Sequence, residues 1–164
     1  MIGLLLGAVT RPRYATVVFD VDSTVAAIEG IDWLAALRGS AIAHECASLT
    51  TRAMAGELPL EEVYLQRLRA IAPTTMELDQ LGEAYLATVQ PGAAEVIAAL
   101  QAAGTSVHLL SGGLRHAILP LAKALGVAPD HVHAVSLLTN AEQRFVALDV
   151  PAACNAAITS AAPG

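Results

Sequence analysis

One stretch limits what this chain can fold into more than any other: Val17-Val18-Phe19-Asp20-Val21-Asp22-Ser23-Thr24. Val17–Phe19 is a short apolar run of the kind that makes a buried strand. It delivers two carboxylates and a Ser-Thr pair where that strand should end. Open α/β sheets place their ligands at the carboxyl ends of strands. Carboxylates as close as Asp20 and Asp22 repel each other unless a cation or a bound proton offsets the repulsion. One reading is therefore a metal-assisted site in which one Asp attacks and the other moves a proton. The other is an Asx-rich turn that closes a strand. The stretch alone supports both.

The rest of the chain is patterned around that strand, read as Tyr14–Phe19. Thr24–Gly30 leaves the sheet, with Gly30 as a hinge. From Ile31 to about Val89 the pattern is helical, with Leu34, Leu37 and Ile42 on one stripe and Leu65, Leu68 and Ile71 on another. Gly56 and Pro59 punctuate this region, and Pro73-Thr74-Thr75 reads as a helix stop followed by an N-cap. A helical insert of about 60 residues is too long for one crossover. It predicts a small cap over the end of the first strand, of the kind that excludes water and carries specificity.

Pro91-Gly92 marks the return to the core. Ala93–Ala103 is predicted as a helix with Val96, Ile97 and Leu100 facing inward, ended by Gly104. Ser106–Leu110 reads as a second buried strand. Ser111-Gly112-Gly113 is expected to open the next helix, which runs to Gly126 with Pro120 as a kink or break. Val132–Leu137 reads as a third strand, paired with Arg144–Val150 across a Thr139–Gln143 turn. The alternation predicts an α/β fold with a Rossmann-like parallel sheet. The domain division is a lead-in over 1–13, an α/β core over 14–30 and 90–150, a helical cap over 31–89, and an irregular Ala-rich tail over 151–164.

Composition narrows the function classes. The chain has 164 residues, 55% of them hydrophobic and 15% charged, which excludes wholesale disorder. Aromatics are only 4%, so Ala, Leu, Val and Ile must build the core. The net charge of −6 and nine scattered basic residues predict neither a nucleic-acid nor an anionic-membrane surface. Cys46 and Cys154 lie far apart without a Cys-x-x-Cys spacing, and a reduced, cytoplasmic protein is the simpler reading. Ile2–Val9 is apolar but lacks a basic leader and is too short to span a bilayer.

Three segments together carry a family resemblance. Phe19-Asp20-Val21-Asp22-Ser23-Thr24-Val25 resembles motif I of the haloacid-dehalogenase-like phosphohydrolases. Its continuation through Glu29-Gly30-Ile31-Asp32 resembles the phosphoserine phosphatase branch. Arg52-Ala53-Met54-Ala55-Gly56 resembles that branch's substrate segment in the cap, and Leu110-Ser111-Gly112-Gly113-Leu114-Arg115 resembles its motif II. They occur in order between Tyr14 and Asp149.

The resemblance implies roles. Asp20 would be the nucleophile that forms an aspartyl-phosphate, and Asp22 would protonate the leaving oxygen and then activate water. Mg²⁺, held by the Asp20 carboxylate and the Asp22 carbonyl, would offset the repulsion between carboxylate and phosphate. Ser111, Gly112 and Gly113 would hold the phosphoryl oxygens, glycine allowing close backbone approach. Glu29 and Arg52 would read the ammonium and α-carboxylate of O-phosphoserine, and Met54 would line the apolar wall. The implied partner is thus a small phosphorylated substrate, not nucleic acid or membrane. Taken singly, Ser-Gly-Gly is an ordinary strand-to-helix turn, and Glu29 and Arg52 are solvated charges. His131 and His133 form an i, i+2 pair that is usually incidental without further ligands. His44, His108 and His116 join no constellation, and Arg115 reads as solvated.

The chain also departs from the family. It carries neither the motif III lysine nor a Gly-Asp-Gly-x-x-x-Asp cluster. Its one lysine, Lys123, falls in the helix after motif II. The loss is expected to lower turnover, since one preorganised electrostatic contact is worth ~10²–10³ in rate. Val150–Gly164 reads as an irregular tail or as an out-of-frame or truncated end, and Thr16–Phe19 as an exposed apolar edge. Two other functions stay open: action on a different phosphorylated metabolite, and a non-catalytic remnant that binds small phosphates or a partner chain.

Overall fold

The computed structural model describes residues 13–149. The apolar lead-in up to residue 12, Val150, Cys154 and the Ala-rich tail lie outside the described residues. β1 (Thr16–Phe19) starts two residues later than the sequence suggests. It pairs in parallel with β2 (Ser106–Leu114), Thr16 opposite Ser106 and Phe19 opposite Leu109. β2 pairs in parallel with β3 (Val132–Thr139), and β3 runs antiparallel to β4 (Phe145–Asp149). The sheet order β1-β2-β3-β4 makes a mixed α/β sheet in which the terminal hairpin supplies the antiparallel strand. Asn140 shapes that hairpin, its Oδ1 accepting from the Glu142 and Arg144 N–H groups at 3.1 and 3.0 Å. Among the described residues β1 is an edge strand, and Val18 on it is 54% exposed.

Five helices separate β1 from β2, the first four being α1 (Gly30–Ala36), α2 (Ser40–Met54), α3 (Leu60–Ile71) and α4 (Thr75–Ala87). Thr74 caps α4 through a capping box with Glu77. Leu34, Leu68 and Ile71 are fully buried, as their stripes predict. Leu37 is 45% exposed, because α1 ends at Ala36 and Leu37 leaves the stripe. α5 (Ala93–Ala102) buries Ile97, but Val96 is 51% exposed beside Phe19 and Thr24 in a shallow groove at the β1 end of the sheet. Its expected inward position is corrected on that ground.

Two local expectations change at β2 and after it. Ser111-Gly112-Gly113 does not open a helix. These residues stay in β2, whose register is irregular between Leu110 and Leu114, and α6 (Arg115–Ala124) begins only after them. Glycines let a strand bulge without losing its direction. Pro120 does not end α6, which continues through it to Ala124. Its ring instead packs where Gly82 of α4 has no side chain, a β-carbon built there lying 3.3 Å from Pro120 Cγ. α4 and α6 therefore lie in close contact.

The hairpin is tied to the link between α3 and α4: Phe145 N–H donates to Pro73 C=O and Thr75 N–H to Gln143 C=O, both at 3.0 Å. An apolar cavity of about 600 Å³ opens between α3 and β4, bounded by Leu60, Tyr64, Leu65, Phe145, Leu148 and Gly112. Among the described residues no helix is long and apolar enough to cross a membrane.

Candidate active site

Asp22 is the hub. The chain after β1 winds tightly on the carbonyl of the fully buried Val21, which accepts the N–H groups of Thr24, Val25 and Ala26 at 3.2, 3.0 and 3.0 Å. Ser23 takes φ +55° to make this turn, a conformation uncommon outside glycine. Asp22 is thereby brought against three other segments. Its Oδ1 accepts from the Gly30 N–H and the Tyr85 hydroxyl, both at 2.7 Å. Its Oδ2 accepts from the Ser111 hydroxyl at 2.9 Å, and Ser111 Oγ in turn accepts the Gly113 N–H at 2.8 Å. The ends of β1 and β2 are thus joined by side chains 89 positions apart.

Two glycines make this closeness possible. A β-carbon at Gly113 would stand 2.7 Å from Asp22 Oδ2 and 3.0 Å from Ser111 Oγ. One at Gly30 would stand 2.2 Å from the Tyr85 hydroxyl oxygen. Gly112 differs: a β-carbon there meets nothing within 4 Å.

Asp20 lies just past β1 and is exposed, with the Thr24 hydroxyl donating to its Oδ2 at 3.1 Å. Glu29 is exposed and accepts from the Ser23 hydroxyl at 2.5 Å. Its charge reaches Tyr85, whose hydroxyl is pushed far above the usual tyrosine range by burial first, then by the hydrogen bond to Asp22 and the charges of Asp22 and Glu29. Asp22, Ser111 and Gly113 therefore form one hydrogen-bonded group, Glu29 lies near enough for its charge to act on Tyr85, and Asp20 stands just past β1 beside Thr24.

Arg52 and Met54 do not join them. Arg52 is 49% exposed in its side chain and pairs with Glu57 at 3.2 Å. Met54, the last residue of α2, is 80% exposed and forms neither a pocket wall nor cap core, because α2 buries Cys46 instead. Lys123 is exposed in the last turn of α6.

Three residues of the site escape the motif reading. Tyr85 is fully buried and reaches Asp22 from α4. Tyr64, on α3, donates to Gly112 C=O at 2.7 Å. Its hydroxyl is also raised above the usual range, by burial and then by the Asp22 charge, with Arg67 opposing. Arg67, also on α3, is only 12% exposed in its side chain. It pairs with Asp32 and lies beside the Cys46 thiol, a weak acceptor. Its Nε is buried without an acceptor in hydrogen-bonding geometry. A buried Arg in an apolar stripe with a Tyr at i−3 was the available signal, since such a cation is not kept without anions to meet.

Mg²⁺ takes a near-octahedral oxygen shell, usually one or two carboxylates completed by water and substrate phosphate. Asp20, exposed and engaged through one oxygen, fits that chemistry. Both Asp22 carboxylate oxygens already accept protein donors, leaving its main-chain carbonyl. Among the described residues no three acidic, His or Cys side chains close round one point, so further ligands would be water and phosphate.

The profile of the haloacid dehalogenase-like hydrolases matches residues 17–152. The chain is 37% identical over 133 residues to the chloroplastic phosphoserine phosphatase of Arabidopsis thaliana, covering 81% of this chain and 44% of that protein. It is 37% identical over 118 residues to the phosphoserine phosphatase of Mus musculus, covering 72% and 52%. It superposes on a phosphoserine phosphohydrolase-like protein from Francisella tularensis with a TM-score of 0.74 at 25% identity, over 82% of this chain and 64% of that one. The chain thus spans about half the length of these curated relatives. With Asp22 at the end of β1 bonded to Ser111 of β2, and the family profile matched over residues 17–152, the chain belongs to the haloacid dehalogenase-like hydrolase family.

Proposed function

We propose that this chain carries the phosphate-handling half of a phosphoserine phosphatase. The observation that supports this best is the hydrogen bond from Ser111 to Asp22 at 2.9 Å, which sets the proton-moving carboxylate against the phosphate-holding hydroxyl. Asp20 Oδ attacks phosphorus, and the bond from phosphorus to the serine side-chain oxygen breaks. An incoming phosphoryl oxygen draws the Ser111 O–H away from Asp22, which frees Oδ2 for proton transfer. Asp22 takes up a proton from solvent on the freed Oδ2, gives it to the leaving oxygen, then takes one from the water that attacks the aspartyl-phosphate and releases it to solvent with the product. Orthophosphate leaves and Asp20 is regenerated. Mg²⁺, when bound at Asp20 and the Asp22 carbonyl, supplies neutralisation of the charge shared by carboxylate and phosphate.

Recognition of the amino-acid part falls to Glu29 for the ammonium and to Arg67, rather than the solvated Arg52, for the carboxylate. The free, buried Nε of Arg67 supports that choice. The buried, unpaired Cys46 fits a reducing, cytoplasmic setting.

The test is Mg²⁺-dependent release of orthophosphate from O-phosphoserine by the full chain, and its loss in Asp20→Asn. A second reading, a phosphate binder without turnover, is favoured by the three donors that already saturate Asp22. Saturable phosphate binding by a folded chain that releases no orthophosphate would select it.

A further inference from the structure

Away from Asp22, the sheet gathers three of the five histidines of the chain in one place. Leu109 pairs with Val132 and Leu110 with His133, so His108 of β2 lies between His131 and His133. Alternation along the strands puts His108 and His133 on the sheet face opposite the buried Val107, Leu109 and Val132, and His131 ends the 3-10 turn that leads into β3. His108 stacks on His131 with ring centroids 3.9 Å apart and planes 19° apart. Its other neighbour, His133, is nearly coplanar, at 5.4 Å and 12°.

One hydrogen bond fixes a tautomer, and the others permit the form a metal needs. His108 Nε2 lies 3.0 Å from Ser106 Oγ, and His131 Nδ1 lies 3.1 Å from the Val107 carbonyl. The carbonyl only accepts, so His131 carries its proton on Nδ1 and presents Nε2 as a lone pair. The Ser106 hydroxyl can donate or accept, so His108 is able to carry its proton on Nε2 and turn Nδ1, 3.1 Å from His133 Nε2, toward an ion. A metal-ligating imidazole is usually oriented like this, through its second nitrogen. Two imidazole nitrogens on one tetrahedral ion, each at ~2.0–2.1 Å, stand roughly 3.3 Å apart. The His108–His133 nitrogen separation of 3.1 Å is already close to that value, and the His108–His131 stack has to open for the third ring to join. His133 is exposed and is free to tip. The rings are not yet closed round one point, so the ligand set forms on binding.

We propose that His108, His133 and His131 form a binding site for one borderline divalent transition ion of the Zn²⁺ or Ni²⁺ type, which clips β2 to β3 upstream of Ser111. Three neutral imidazoles suit such ions and not Mg²⁺, which prefers oxygen.

The full, untagged chain in chelator-treated buffer is titrated calorimetrically with Zn²⁺, and separately with Ni²⁺. One ion per chain is expected, with a rise in the unfolding temperature as ion is added. His133→Gln, at an exposed position, is expected to weaken binding by at least about tenfold, and so is His108→Gln. His44→Gln, His116→Gln and Asp20→Asn are expected to leave it unchanged, which separates this site from the aspartate pair. The visible spectrum of the Co²⁺-loaded chain should collapse in His133→Gln while its circular dichroism stays that of the parent. Failure of the parent chain to bind one ion, or equal binding by His133→Gln and the parent, overturns the proposal.

Discussion

Tyr85 of α4 donates its hydroxyl to Asp22 Oδ1 at 2.7 Å, so a helix of the insert holds the carboxylate that follows the first strand. Tyr85 is fully buried, and only the Gly30 N–H shares its acceptor atom. Tyr85→Phe keeps the ring and removes the donor. A hydrogen bond to a charged group contributes ~1.5–3 kcal/mol. A loss of stability in that range is expected, read as a lower urea midpoint at pH 7 with an unchanged slope. A midpoint equal to the parent's would show that the contact holds nothing in place.

The same tyrosine, with Tyr64, predicts an alkaline limit. Both hydroxyls titrate above their ordinary value of 10.0 in the folded chain, mainly through burial. A group whose folded pKa is raised contributes stability that is complete below its unfolded pKa and declines as pH rises past it. Stability should therefore fall above pH ~10. The Tyr64→Phe, Tyr85→Phe double variant should lose less over the same interval. Urea midpoints measured between neutral pH and the alkaline range decide it.

Gly112 and Gly113 are neighbours with opposite demands. A β-carbon at Gly113 would strike Asp22 Oδ2 at 2.7 Å and also crowd Ile118 Cδ1 at 3.2 Å. At Gly112 it meets nothing. Gly113→Ala is expected to break the Asp22–Ser111 bond and lower phosphate release by ~10²-fold, the scale of losing one preorganised contact. Gly112→Ala should stay within a few-fold of the parent. Equal effects at the two positions would contradict the geometry.

These contrasts mark where sequence reasoning succeeds. The hairpin after Thr139 follows from a local rule, a turn between alternating strands, whereas Asp20, Asp22 and Ser111 stand out through their resemblance to family motifs, since each segment alone also reads as an ordinary turn. Tyr85, Tyr64, Gly30 and Arg67 do not, because each acquires its role from a neighbour far along the chain; Tyr85 and Asp22 are 63 positions apart. Periodicity placed Val96 and Leu37 inside, but burial depends on what covers a face, and nothing among the described residues covers Val96. Pro120 was expected to break its helix, which ignored the notch that Gly82 provides on α4.

Arg38 and Glu77 predict an acid limit. Arg38 donates from Nη1 and Nη2 to the two Glu77 oxygens at 2.6 and 2.7 Å and from Nε to Ile71 C=O at 2.6 Å, tying the end of α1 to the start of α4. The Arg38 hydrogen bond, helped by the Thr74 cap, lowers the Glu77 carboxyl from 4.5 to about 2. A depressed folded pKa gives stability that is present above the unfolded value and lost as pH falls through the folded one. Glu77→Gln should cost roughly 1–3 kcal/mol at pH 7 through the lost pair and cap. The difference from the parent should shrink between pH 4.5 and about 2. Urea midpoints at those pH values check both statements.

Arg67 and Arg52 compete for one role, and a pair of substrates separates them. Arg67 is nearly buried on α3, paired with Asp32, and keeps an Nε without an acceptor near the tyrosine that touches Gly112. Arg52 lies in solvent against Glu57, where an ion pair contributes little. O-phosphoserine carries an α-carboxylate and O-phosphoethanolamine does not. If Arg67 meets that carboxylate, Arg67→Lys should raise KM for phosphoserine by ~10-fold or more, because an ammonium cannot reproduce the guanidinium fork. It should leave KM for phosphoethanolamine within a few-fold, which a general loss of structure would not do. Arg52→Ala should change neither substrate. The reverse pattern, phosphoserine binding lost in Arg52→Ala and kept in Arg67→Lys, would return the carboxylate to Arg52 and require α2 to swing its last turn toward Asp20.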